Sequence, residues 1–138
     1  MTATFVDPLA AFREALLALA PTTALADVPI RANERHDGDA PPFVVIAEGG
    51  AIRHRTGPAY APARVNLSAW GNDADQAVEL YLTASQLLHR YGPVVRSGAG
   101  IFRIFDETGL QQPFEDPDTG WWRAFGVFDL VMVDRPVT

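Results

Sequence analysis

Arg64-Val65-Asn66-Leu67-Ser68-Ala69-Trp70-Gly71-Asn72-Asp73 is the stretch whose reading decides the fold. From Arg64 to Trp70 the residues alternate. Val65, Leu67 and Ala69 point one way, and Arg64, Asn66, Ser68 and Trp70 point the other, which is the period of a half-buried strand. Gly71-Asn72-Asp73 then turns the chain, and Asp73 suits the cap of a helix with Asp75 and Gln76 in its first turn. That helix is expected from Asp73 to His89. Ala74, Ala77, Val78, Tyr81, Ser85 and Leu88 form its central apolar stripe, and Asp75, Glu79, Thr83, Gln86 and Arg90 its polar face. Leu80 and Leu87 lie on one flank and Leu82 on the other. A single sheet buries a stripe of about 100°, so the flanking leucines need a second neighbour, either another helix or another subunit.

Downstream, Tyr91-Gly92-Pro93 ends the helix. Ile101 to Phe105 reads as a strand, Asp106 to Gly120 as a long acidic loop, and Trp121 to Val133 as the last and longest strand. In it Phe128, Leu130 and Met132 share one face, and Val127, Val131 and Val133 the other. Gly126 is expected to mark a bulge. Adjacent strand residues face opposite sides, so Trp121 and Trp122 send an indole to each face. Both could cap the core, or one could anchor an interface, where Trp is enriched.

Upstream, Asp7-Pro8 is a helix start. Leu9, Phe12, Leu16 and Leu19 follow at helical spacing, and Pro21 stops the helix. Val28-Pro29-Ile30 suits a short edge strand, and Arg31 to Pro42 a polar loop. Phe43-Val44-Val45-Ile46-Ala47 suits a strand covered on both faces. Glu48 to Pro62, carrying Arg53, His54 and Arg55, reads as a long loop. The expected fold is α+β, a single domain over 1–138 with a mainly antiparallel four-stranded sheet and two helices packed on it.

Composition narrows the function. The 138 residues are 48% hydrophobic and 20% charged, an ordinary globular balance for one domain. No apolar run approaches the ~18 residues that cross a bilayer, so no membrane partner is expected. Met1-Thr2-Ala3-Thr4 lacks the basic start of a secretory signal, which points to a protein made in the cytoplasm. The chain has no cysteine and no lysine; all 11 basic residues are arginine. That excludes disulfides, thiol nucleophiles, a P-loop lysine and Schiff-base chemistry. The net charge of −6 repels a phosphate backbone, so no sequence-specific nucleic-acid binding is expected.

No motif for catalysis or cofactor binding stands out. His36, His54 and His89 fall in different elements, without metal-ligand spacing. Gly98-Ala99-Gly100 precedes a strand, whereas a dinucleotide fingerprint follows one. Counting from Asp116 as position one of a calcium loop, Gly120 and Val127 stand where ligands are required, so Asp116-Pro117-Asp118-Thr119-Gly120 is a turn. Glu107, Glu115, Asp116 and Asp118 read as a solvated acidic loop, not a general acid–base pair. Ser68, Ser85 and Ser97 lack a nucleophile-elbow context.

Three runs carry a resemblance. They are the proline-led strand Pro41-Pro42-Phe43-Val44-Val45-Ile46, the strand-to-helix unit Arg64 to Gly71 with Ala77 and Leu80 to Leu88 after it, and Asp116-Pro117-Asp118-Thr119-Gly120 with Arg123 ahead of a long closing strand. Their order resembles the small tail-terminator (tail-completion) proteins of long-tailed phages, of the lambda-like and actinophage-like kind. The resemblance implies a structural virion protein, not an enzyme, with no metal or other cofactor. It implies a hexameric ring that caps the finished tail tube, contacts the tail tube protein and joins the head–neck connector, with DNA passing through its lumen. Such a protein resides in the virion tail, and in the host cytoplasm during assembly. On that reading Leu80, Leu87, Trp121, Trp122, Arg53, Arg55 and Arg64 are candidates for the subunit interface, and Asp37, Asp39, Glu115, Asp116 and Asp118 for an acidic loop or the lumen. Two alternatives remain: another neck, head-closure or baseplate adaptor protein, or a small cone-shaped ligand-binding protein or enzyme.

Overall fold

A computed structural model describes residues 8–19, 25, 27–48, 60–90, 94–97, 100–108 and 112–133. The elements run α1 (Pro8–Leu19), β1 (Ile30–Ala32), β2 (Phe43–Glu48), β3 (Tyr60–Gly71), α2 (Ala74–Arg90), β4 (Val94–Ser97), β5 (Gly100–Thr108), β6 (Phe114–Glu115) and β7 (Trp122–Val133). The fold is α+β, as the sequence leads one to expect. The sheet is larger than four strands and is mixed. Its six-strand path is β1-β2-β3-β7-β5-β4, and β6 pairs β7 beside it. Short edge strands such as Ile30–Ala32, Val94–Ser97 and Phe114–Glu115 are too brief for a periodic signal and are fixed by their partners. β1 lies parallel to β2; the other pairings are antiparallel.

β3 and β7 form the spine, paired from Tyr60↔Val133 to Gly71↔Trp122. β3 starts inside the stretch expected to be loop. Pro62 pairs there with Val131 of β7, and the described pairing with β2 begins only at Val65. β5 likewise runs on through Thr108, so Asp106 and Glu107 are strand residues, not loop. The irregularity in the sheet lies between Ile104 and Asp106 on β5, whereas Gly126 pairs regularly with Leu67. The bulge expected at Gly126 is therefore on the neighbouring strand.

α2 begins as its sequence dictates. Gln76 N–H donates to Asp73 Oδ1 at 2.8 Å, and Asn72 N–H to Gln76 Oε1 at 2.7 Å. The first bond satisfies one of the orphan donors at the helix start, and the second holds the N–H just ahead of the cap. Gly71 is needed just before it, because a Cβ there would sit 2.6 Å from the Ala77 backbone nitrogen.

Both helices lie on one side of the sheet. The core joins Leu9, Phe12 and Leu16 of α1 and Ala77, Tyr81, Ala84 and Leu88 of α2 to Val44, Ile46, Val65, Leu67, Ala69, Ala124, Phe128 and Leu130 of the strands. Phe12 meets Phe128 edge-on at 5.2 Å. Leu80 and Leu87 are 4% and 6% exposed and belong to this same core. The second neighbour that the wide face of α2 required is thus within the chain. Leu82 instead stays open at 42%.

Candidate site on the open face of the sheet

Strand alternation that buries Val65, Leu67, Ala69, Ala124, Phe128 and Leu130 under the helices turns Arg64, Asn66, Ser68, Trp70, Arg123, Phe125, Val127 and Asp129 the other way. No described helix covers that face. Phe43 is 1% exposed yet lies apart from the helix-side core. It is buried by aromatic neighbours: Trp70 stacks on it at 5.9 Å and Trp121 meets it edge-on at 5.7 Å. Expected to be covered on both faces, β2 is only partly so, because Val45 and Ala47 remain half-buried here.

Arg123 sits at the centre. Register places it between Trp70 on β3 and Phe114 on β6. Its guanidinium carbon lies 4.7 Å from the Phe125 ring centre, 5.6 Å from Phe114 and 5.7 Å from Trp70. Cations are attracted to such ring faces. Its Nε donates to Ser68 Oγ at 2.9 Å. Burial pushes the guanidinium pKa below its ordinary value. Two loops flank the aromatic floor. One carries Asn33, Glu34 and Arg35, with Arg35 stacked 5.3 Å from the Trp121 centre. The other is a turn built by Asp116, whose carboxylate accepts from Asp118 N–H at 3.0 Å and Thr119 Oγ1 at 3.1 Å. Gly120 closes that turn with φ at 75°, a conformation glycine adopts without strain. Between the loops lies a groove of ≈ 500 Å³.

A second polar cluster sits on the helix side. Tyr81, Ser85 and His89 are spaced to stack along α2, and all three reach Glu107 of β5. Tyr81 Oη donates at 2.6 Å, Ser85 Oγ at 2.8 Å, and His89 Nε2 lies 2.6 Å from Oε1. Burial first, then the bond to the Glu107 carboxylate, pushes the Tyr81 phenol above its ordinary value. Gly126 makes the arrangement possible, because any Cβ there would collide with the Tyr81 ring and hydroxyl. Glu107, expected in a solvated loop, is thus a strand residue that ties the helix to the sheet.

The remaining sequence candidates are dispersed. Trp121 joins the open face, and Trp122 packs against the helix-side core. Arg64 pairs with Asp129 of its own chain at 2.7 Å. Asp39 holds Arg31 through two oxygens at 3.0 and 3.2 Å, which lowers its carboxyl pKa. Asp37 and Glu115 are exposed. Arg53 and Arg55 lie outside the described residues. The Arg123–Trp70–Phe43 constellation is not visible as a site in the sequence. The alternation Arg123, Phe125, Val127 is visible there, but its alignment with Trp70 and Phe43 depends on register. Among the described residues no acidic, histidine or cysteine cluster is placed to hold a metal ion, and no helix is long and apolar enough to cross a membrane.

No protein-family model matches the chain, and no curated protein sequence matches it. A solved structure superimposes over 93% of this chain and 94% of its own, with a TM-score of 0.60 and 14% identity. At that identity the likeness shows the α+β fold alone.

Proposed function

We propose that the chain is a structural subunit of a ring of the phage tail-terminator kind, which caps the tail tube and joins it to the head–neck connector. The observation that carries this reading is the one-sided covering of the sheet. Two helices pack on one face, and the other presents Trp70, Trp121, Phe114 and Arg123 with no helix over it among the described residues. Trp and Arg are the residues that dominate interface energetics. A closed ring of more than two copies needs head-to-tail contacts between different patches, and an open sheet face supplies one of them. The net charge of −6 fits a conduit that lets DNA pass without binding it. Deleting the gene is expected to leave heads and tails unjoined and tail tubes of uncontrolled length. Joined virions with normal tails would overturn the assignment.

The groove favours a second reading, a ligand-binding protein, since ≈ 500 Å³ is the size of a small-molecule site. Tail assembly that proceeds normally without the gene, together with a saturable small-molecule thermal shift lost in Trp70→Ala, would favour it.

A further inference from the structure

Arg123 differs from the other arginines whose side chains are described. Arg31 is held by the Asp39 carboxylate and Arg64 by Asp129. Arg13 donates to the Ile30 carbonyl, and Arg35 to the Asp39 carbonyl. Arg123 is half-buried, is wedged among three ring faces, and has no carboxylate partner among the described residues. A guanidinium offers five donors in a planar fork. Among the described residues only Ser68 is hydrogen-bonded to it, through Nε. The two η nitrogens make no hydrogen bond to described residues and are not sealed from solvent, and Arg123 lines the groove. A partly desolvated cation is strongly favoured to find an anion.

We propose that the groove docks a carboxylate-bearing segment of a second copy of this chain, the carboxylate taking the η nitrogens of Arg123 while its apolar neighbours pack on Trp70 and Trp121. The inference rests on the ring reading and names the contact that reading needs. Charge complementarity selects the occupant. The chain carries 17 acidic residues against 11 arginines, so a copy offers carboxylates in excess. Glu34 and Asp118 line the groove. They repel a polyanion such as nucleic acid, and they favour a single carboxylate set among neutral or basic side chains. A fork-shaped donor at the centre fixes register between copies as well as adding affinity.

The absence of cysteine makes the test direct. Asn66→Cys lines the groove away from the Arg123 contacts and accepts a benzophenone label. The labelled protein is photolysed at high concentration, alone and on tail tubes, and adducts are mapped by mass spectrometry. The proposal expects adducts of dimer size in which the captured peptide contains Asp or Glu. Their yield should fall about tenfold in Arg123→Gln and be partly restored in Arg123→Lys. If Arg123→Gln lowers the melting temperature, the salt dependence of the parent adduct reads the same contact. No dimer-sized adduct under either condition, or a yield unchanged by Arg123→Gln and by salt, overturns the proposal. A protein that terminates tails yet gives no groove adduct removes this inference and leaves the ring reading standing. A gene deletion without phenotype alongside an Arg123-dependent adduct removes the ring reading and leaves the pairing.

Discussion

At the scale of residues, position 126 and Tyr81 compete for the same space. Gly126 is the site on β7 over which the Tyr81 ring passes to reach Glu107. Gly126→Ala is therefore expected to cost about 1–3 kcal/mol, the usual penalty of overpacking a filled site, read as a lower urea midpoint. Tyr81→Phe should cost about 1 kcal/mol through the lost hydrogen bond to a carboxylate that keeps its other donors. The same tyrosine predicts a pH effect. Its pKa is raised in the folded protein above the ordinary 10.0. A raised pKa contributes stability that is fully present below the unfolded value and is lost as pH climbs above it. Stability should thus fall above about pH 10, and Tyr81→Phe should flatten part of that fall. Identical alkaline unfolding profiles for the two proteins would contradict the burial of Tyr81. The sequence showed Tyr81 and Ser85 on one helical stripe, but the acid that joins them was hidden. Glu107 stands among acidic neighbours that look like loop, and its strand character comes only from pairing with Phe128.

At the scale of elements, legibility follows local periodicity. β3 from Arg64 on and α2 were readable because alternation, a turn and a cap occur in sequence, and the cap geometry is the one Asp73 and Gln76 call for. Asp73→Ala should cost about 1 kcal/mol of stability and lower the helical signal of the first turn. Of the short strands, β1 is anticipated at Val28-Pro29-Ile30, two residues early, whereas β4 and β6 carry no signal of their own because partner strands create them. The flanks of α2 were readable as needing a second neighbour, but not which one. Leu87 is now placed in the core, so Leu87→Asp should cost about 3 kcal/mol or more and yield little folded protein. Leu82→Asp, on the open flank, should change stability by no more than about 0.5 kcal/mol. Equal stability of these two variants, by thermal denaturation, would refute the placement of α2.

At the scale of the whole molecule, the asymmetry of the sheet dominates. One face is closed by α1 and α2. The other is floored by Phe43, Trp70 and Trp121 and centred on a cation without a described carboxylate partner. This site was only half legible. The Trp121-Trp122 pair stands out in the sequence, but Arg123 gains its meaning from the strands and loops that surround it. Arg64, which sequence favoured for assembly, is engaged with Asp129 within the chain, and exposed pairs of that kind contribute only about 0–1 kcal/mol. The acidic whole should bind duplex DNA weakly at physiological salt, and a submicromolar, salt-sensitive affinity would count against a conduit. The most direct measurement of the central claim is electron microscopy of the purified protein at high concentration and on isolated tail tubes. The account predicts six-fold rings, with the open sheet face of each subunit turned to its neighbour. Single 15.0 kDa particles under both conditions, with bare tube ends, would contradict it.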